Sequence, residues 1–120
     1  MIKNAGEIEI GCEGKNLVVA LGGEIDHHNA AFLRTRIDKL IYEKKPPKLI
    51  LDLSAIEFMD SSGLGLIMGR YSLVRKLGGQ LVIRKPTANI LRICKLAGME
   101  RMISIETNKN KEKKLENETK

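Results

Sequence analysis

Two adjacent serines follow an aspartate in the segment Asp60-Ser61-Ser62-Gly63, a little after the apolar run of residues 49–53. Aspartate and serine are common first residues of helices, so this order predicts a strand followed by the start of a helix. A helix N-terminus presents unpaired backbone N–H groups and a partial positive charge, which accommodate a capping side chain or a phosphate. The serines are therefore either helix caps or hydroxyls open to modification.

A nucleophilic role for Ser61 or Ser62 would require a base within hydrogen-bonding distance and an oxyanion hole. The chain has two histidines, His27 and His28, as candidate bases. The order Ser-Ser-Gly lacks the Gly-x-Ser-x-Gly turn that exposes the serine of α/β hydrolases. We therefore expect no enzyme, and an enzymatic reading would need a serine and a histidine in hydrogen-bonding range.

The same two histidines do not predict a metal site. The side chains of neighbouring residues are expected to diverge, and no cysteine or third histidine lies nearby to complete a ligand set. His27 and His28 are instead expected to be polar residues at the start of the first helix, where they can touch a partner. No metal or other cofactor is expected.

Three glycines, Gly63, Gly65 and Gly69, fall within about two turns of the predicted helix. Their spacing matches neither the dinucleotide-binding pattern nor a P-loop, so a nucleotide site is not indicated. Each glycine costs about 1 kcal/mol relative to alanine inside a helix. Either close packing on the sheet or a flat face that a partner can approach would explain them, and the two explanations are compatible.

The order of predicted elements indicates an α/β fold. Alternating and apolar runs predict a hairpin, and apolar residues at helical spacing predict helices between further strands. In the second helix the predicted buried stripe is Leu64, Ile67, Met68, Tyr71, Val74 and Leu77. The predicted elements are strands at 7–11, 17–21, 48–53, 80–84 and 102–106, and helices at 29–43, 61–77 and about 90–97. They imply a mixed sheet of four to five strands with the hairpin at one edge and helices packed against it.

A second polar segment, residues 23–28, reads Gly-Glu-Ile-Asp-His-His and precedes the first predicted helix, with Asp26 as its expected N-cap. Parallel strands end at the same edge of a sheet, where open α/β folds place their sites. Glu24 and Asp26 are therefore expected to lie near Asp60 and Ser61, so that two distant segments form one surface.

Composition limits the range of functions. The 120 residues carry a net charge of +6 but only 3% aromatic residues and no tryptophan, which argues against direct nucleic-acid binding. Cys12 and Cys94 form neither a zinc pattern nor a disulfide framework, and both are expected to be buried thiols. With no signal-peptide or membrane-spanning run, the protein is expected in the cytoplasm and away from membranes.

The chain resembles the STAS domain of bacterial anti-sigma factor antagonists, and within them the sporulation members most. The resemblance covers most of residues 7–106. It rests on Gly23-Glu24-Ile25-Asp26, His27-His28, Asp60-Ser61-Ser62-Gly63-Leu64-Gly65, Met68-Gly69-Arg70-Tyr71, Gly78-Gly79 and Leu96-Ala97-Gly98-Met99. We accordingly expect a STAS domain over residues 1–106 and a charged tail over 107–120 that is disordered or at most a short exposed helix.

The resemblance implies a phosphorylation switch without catalysis by this chain. Unphosphorylated members bind an anti-sigma factor that is also an ATP-dependent serine kinase, carrying ADP or ATP, and so free the sigma factor. Phosphorylation ends binding and a serine phosphatase restores it. The implied phosphoacceptor is Ser61, with Ser62 as second choice, in a protein that is a monomer when free. The implied partner-binding residues are Glu24, Asp26, His27, His28, Asp60, Ser62, Gly63 and Gly65.

A different reading is a ligand-binding or sensory STAS module within a larger signalling assembly, because related domains are attached to transporters and sensors. The chain shows no sensor or membrane segment beside the domain. The sequence therefore favours the antagonist.

Overall fold

A computed structural model describes residues 7–107 of the chain. The predicted tail lies outside these residues except for Thr107. The elements in chain order are β1 (Glu7–Glu13), β2 (Asn16–Ile25), α1 (Ala30–Lys44), β3 (Lys48–Met59), α2 (Ser61–Lys76), β4 (Gln80–Arg84), α3 (Ala88–Leu96), a 3-10 turn (Met99–Arg101) and β5 (Ser104–Glu106).

The five strands form one mixed sheet in the order β1-β2-β3-β4-β5. β1 is antiparallel to β2 at one edge, while β2, β3, β4 and β5 run parallel to one another. The predicted hairpin, the α/β class and the mixed sheet are thus confirmed. Gly14, with φ +64°, supplies the left-handed backbone that the hairpin turn needs.

Several strand boundaries differ from the prediction. β1 ends at Glu13 and not at residue 11, and β2 continues past residue 21 to Ile25. β3 continues past residue 53 to Met59, because its second half pairs with β2 from Gly22 to Ile25. Polar and small residues interrupt the apolar run there. A prediction from periodicity alone therefore ended the strand too early. At the other end of the chain, β5 spans only Ser104–Glu106, since the preceding residues form the 3-10 turn.

Aliphatic side chains from the strands and all three helices form the core. Leu49, Leu51 and Leu53 alternate along β3 and lie in one buried cluster with α1 residues Leu33 and Ile37. The third helix ends as predicted, with Gly98 (φ +76°) just beyond the cap residue Ala97.

The buried face of α2 is rotated from its predicted position. Five residues at helical spacing are buried: Gly63, Leu66, Ile67, Arg70 and Val74. Leu64, Met68 and Tyr71 are only partly buried at its flank, and Leu77 is 37% exposed. The hydrophobicity pattern missed this face because it counts neither a glycine nor an arginine as a core residue.

Arg70 is buried because it forms an ion pair between helices. Its Nε lies 2.7 Å from Asp38 Oδ1 on α1, and its Nη1 donates to the Leu66 carbonyl at 3.4 Å. The Nε and Oδ1 atoms are too poorly aligned for a hydrogen bond, so their attraction is that of an ion pair. This pair joins the two helices whose first turns carry the polar segments.

The two cysteines differ, contrary to the prediction that both are buried. Cys94 is buried, and desolvation raises the pKa of its thiol. Cys12 is exposed on β1, which is an edge strand of the sheet. Among residues 7–107, no helix is long and apolar enough to cross a membrane.

Candidate functional site

The carboxyl ends of β2 and β3 lie side by side and bring the two polar segments together. In the parallel register Glu24 pairs with Phe58 and Ile25 pairs with Met59. The Asp60 amide then donates to the Ile25 carbonyl at 3.1 Å, one residue beyond the last strand pair. The predicted meeting of the two segments at one sheet edge is confirmed.

Asp60 is the N-cap of α2. Its backbone is extended, with φ −97° and ψ −169°, and its Oδ1 accepts the Ser62 amide at 2.7 Å. Its carbonyl accepts the Gly63 amide at 2.9 Å. The possibility that a serine hydroxyl caps the helix is therefore wrong: a carboxylate already fills that position.

The two serines occupy different environments. Ser61 is exposed at the first position of α2, and its hydroxyl makes no hydrogen bond to any residue within 7–107. Ser62 is half-buried, and its amide donates to Asp60 Oδ1. Ser61 is accordingly the more accessible of the two residues.

The Asp60 carboxyl stays ionised at the helix start. Desolvation would raise its pKa, but hydrogen bonds from the Ser62 amide and side chain and from the His27 backbone, together with the nearby His27 ring, lower the pKa below its usual 3.8. A fixed negative charge therefore lies beside the Ser61 hydroxyl.

Hydrogen bonds within the turn order the loop formed by residues 24–28. Asp26 Oδ1 accepts the amides of His28 at 2.9 Å and Asn29 at 3.3 Å. Asn29 Oδ1 accepts the Asp26 amide at 3.1 Å, and its Nδ2 donates to the Glu24 carbonyl at 2.7 Å. Asp26 is thus not the N-cap of α1 as predicted, because one further turn of chain separates it from the cap residue Asn29.

Asn29 is a site residue that sequence reasoning missed. It is only 7% exposed, and both of its side-chain polar ends bond the loop backbone. The expectation of a helix N-terminus near residue 29 was the available signal, because asparagine is a favoured N-cap. Its use as a brace for the preceding loop depends on the three-dimensional turn.

The two histidine rings stack instead of diverging. Their centroids are 4.0 Å apart at an interplanar angle of 37°. The His27 Nδ1 lies 3.9 Å from Asp60 Oδ2, and the His28 Nδ1 lies 3.7 Å from Asp26 Oδ1. The prediction of divergence is wrong because residues 27–29 form a turn and neither a helix nor a strand. Both rings are largely exposed and available to a partner.

The geometry of the site differs from that of a serine hydrolase. The Ser61 hydroxyl has no hydrogen bond to either imidazole in residues 7–107, while His27 faces the Asp60 carboxylate. Nor does this part of the chain bring three or more His, Cys, Asp or Glu side chains together as metal ligands.

The helix glycines have different roles. A Cβ on the buried Gly63 would overlap the Met59 side chain and lie 3.4 Å from Ile25 Cγ2, so this glycine allows α2 to approach both strand ends. A Cβ on Gly65 or Gly69 would meet nothing within 4 Å. The close-packing explanation is confirmed at Gly63, while Gly65 lies on the exposed side with open space around it.

Phe58 is a second residue that sequence reasoning did not assign to the site. It is 48% exposed on the strand that leads into Asp60, and it is paired in register with Glu24. Because Met59 occupies the core side of the strand, Phe58 points away from the helices.

The chain was compared with known proteins. The STAS domain model matches residues 7–113. An anti-sigma F factor antagonist of Paenibacillus polymyxa is 35% identical over 92 residues, covering 77% of this chain and 79% of the relative. The solved structure of the anti-sigma factor antagonist SpoIIAA in its unphosphorylated form has the same fold, with a TM-score of 0.73 at 22% identity over 92% of this chain and 97% of that one.

A solved anti-sigma factor antagonist from Mycobacterium paratuberculosis is also similar, with a TM-score of 0.74 at 28% identity over 88% of each chain. The predicted STAS fold is confirmed by these matches. The family model covers the loop of residues 24–28, Asp60 and Ser61 together. This chain belongs to the STAS domain family.

Proposed function

We propose that this protein is an anti-sigma factor antagonist whose binding is switched by phosphorylation of Ser61. The unphosphorylated form binds an anti-sigma factor, which thereby releases its sigma factor. The observation that carries the proposal is the pairing of an exposed, unbonded Ser61 hydroxyl with the ordered loop of residues 24–28 at one sheet edge.

The relatives support the binding partner. Similar proteins named as antagonists of anti-sigma F and anti-sigma-B factors cover about three quarters of this chain. A STAS domain of this kind acts as a regulatory binding protein and not as an enzyme. We assign the anti-sigma F type to this chain, and with it control of sporulation transcription in the cytoplasm, because the anti-sigma F factor antagonist of Paenibacillus polymyxa is 35% identical, against 30% for the anti-sigma-B relative.

The acceptor serine is supported by access and by chemistry. Ser61 is exposed whereas Ser62 is half-buried and bonded to Asp60. A phosphate on Ser61 would lie at the N-terminus of a helix of 16 residues, where the helix dipole favours negative charge. The fold can therefore hold the modified residue without rearrangement.

The proposed switch changes charge more than shape. A phosphoserine carries about −1.5 to −2 charges at neutral pH. It would join the ionised Asp60 and the nearby carboxylates of Glu24 and Asp26, which makes this edge strongly negative. An acidic or tightly packed partner surface is repelled by that charge and by the bulk of the phosphate.

The cycle needs two other proteins. The anti-sigma factor, with ATP bound, supplies the phosphoryl group as a serine kinase, and its ADP form binds the unmodified protein. A serine phosphatase removes the group and restores binding. In this proposal the free antagonist is a monomer with no cofactor of its own, and its contacts are the predicted residues Glu24, Asp26, His27, His28, Asp60, Ser62 and Gly65, with Gly63 supporting them from below.

Incubation with the anti-sigma factor kinase and ATP, followed by peptide mass spectrometry, tests the proposal. One phosphoryl group on Ser61 is expected. The matched variants are Ser61→Ala, which should abolish modification, and Ser62→Ala, which should retain it. Modification confined to other positions would remove the Ser61 assignment, and absence of binding by the unmodified protein would remove the antagonist function.

A further inference from the structure

Three of the four aromatic side chains of this protein lie on its surface. Phe32, Tyr42 and Phe58 are 51%, 57% and 48% exposed, and Tyr71 is only partly buried. The core is aliphatic, so the exposed rings add little to the stability of the fold. Aromatic residues and arginine are enriched at the centres of protein interfaces, where they bury a large area.

Two of these rings share one side of α1. Phe32, Arg36, Lys39 and Tyr42 are spaced by four, three and three residues and are all exposed, and we call them the α1 outer face. The opposite side of the helix buries Leu33, Ile37 and Ile41. The eleven residues from Phe32 to Tyr42 span about 15 Å along the helix.

The α1 outer face is positively charged. The Arg36 guanidinium lies 6.0 Å from the Phe32 ring centroid, so a cation already rests over one aromatic ring. Arg36 and Lys39 are the two cations of this face, and Glu43 is the exposed carboxylate at its C-terminal end. The rest of α1 and its C-cap add Arg34, Lys44 and Lys45 against Asp38, which is already paired with Arg70. This charge favours an acidic partner.

The α1 outer face begins beside the candidate site. Phe32 follows Asn29 by three residues, and Asn29 holds the loop of residues 24–28 through the Glu24 carbonyl. The α1 outer face therefore starts about one helical turn after the residue that braces the loop, and it continues toward the C-terminus of α1.

We propose that the α1 outer face is a second contact zone for the anti-sigma factor, on which an acidic, partly apolar surface of that protein packs. Acidic side chains of the partner pair with Arg36 and Lys39, while apolar ones cover Phe32 and Tyr42. The inference rests on the proposed function, which names this partner. It adds a region that the phosphate on Ser61 does not touch, so this zone sets affinity and partner choice.

Calorimetric titration of the purified anti-sigma factor with ADP into full-length protein variants tests this zone. Phe32→Ala, Tyr42→Ala and the double variant Arg36→Glu, Lys39→Glu should each bind about 10-fold more weakly than wild type. The matched controls lie on α3: Leu96→Ala, at a side chain that is 83% exposed, and the double variant Arg92→Glu, Lys95→Glu. These controls should bind within about twofold of wild type.

A second measurement does not depend on variants. Hydrogen exchange on the wild-type protein should show slower exchange of α1 amides when the anti-sigma factor is added. This result tests the second contact zone even where a variant fails to fold. Wild-type affinity in all α1 variants, or unchanged α1 exchange in the complex, would overturn the second zone and leave the proposed function intact. Failure of wild type to bind would overturn both.

Discussion

Arg70 of α2 and Asp38 of α1 form an ion pair with Nε and Oδ1 2.7 Å apart, and only 8% of the Arg70 side chain is exposed. Desolvation lowers the pKa of Arg70, the Asp38 charge opposes that effect, and Arg34 adds to it. The guanidinium is nonetheless charged at any pH at which proteins are handled. The charge is held between the helices whose first turns carry the candidate site.

Arg70→Met should lower the free energy of unfolding by about 2 kcal/mol. This figure lies between the value of about 1 kcal/mol for exposed pairs and the loss of about 3–5 kcal/mol for breaking a buried one. Urea unfolding measures it, with the exposed Arg75→Met on the same helix as control. Asp38→Asn should be non-additive with Arg70→Met, and simple additivity would contradict the pairing.

The glycines of α2 should respond in opposite directions. Gly65→Ala should raise the free energy of unfolding by about 0.5–1 kcal/mol, because alanine is the better helix former and nothing lies within 4 Å of the added carbon. Gly63→Ala should lower it, since the added carbon overlaps Met59. Thermal and urea unfolding of the two variants compares them directly. Equal effects of the same sign would contradict the packing described for Gly63.

The Asp60 carboxylate that caps α2 should make the free energy of unfolding depend on pH in the acid range. Because the folded-state pKa of Asp60 is lowered, its contribution is fully present above the unfolded value of about 3.9 and is lost as the pH falls through the folded value. When the free energy of unfolding is measured from about pH 2 to pH 7, it should therefore fall more steeply below pH 4 in wild type than in Asp60→Asn. Overlapping profiles would show that the carboxylate is not held as described.

Ser61→Asp should weaken binding to the anti-sigma factor with little change in fold. A carboxylate at the first position of α2 adds one charge beside Asp60 and suits the helix dipole. Circular dichroism and the unfolding midpoint should match wild type, whereas the Kd should rise by about tenfold or more, because like charges oppose an acidic partner surface. Wild-type affinity in Ser61→Asp would argue against repulsion as the basis of the switch.

The sequence was informative wherever a pattern is local. Alternation predicted the hairpin, and Asp60-Ser61 predicted the strand-to-helix junction at the correct residue. The prediction that Glu24 lies near Asp60 needed only the parallel order of the strands, because parallel strands end at the same edge of the sheet.

The errors came from long-range packing. The buried row of α2 includes Gly63 and Arg70, whose burial depends on Met59 and on Asp38 of another helix. The bracing role of Asn29 required knowing that the preceding carbonyls turn toward it. In each case the missed residue owes its role to a neighbour that is distant in sequence or that an irregular turn brings close. Periodicity carries no information about such neighbours.

The bond between the Asp60 amide and the Ile25 carbonyl uses main-chain atoms alone. Substitution of the exposed His27 and His28 side chains therefore leaves Ser61 at the same place relative to the loop, provided that Asp26 is kept to order the turn. Under the proposed function, side chains grafted at these two positions would give switches that do not cross-react in one cell. The shared main-chain bond would keep the proposed modification of Ser61 the same in each switch, while the grafted side chains would determine which partner binds.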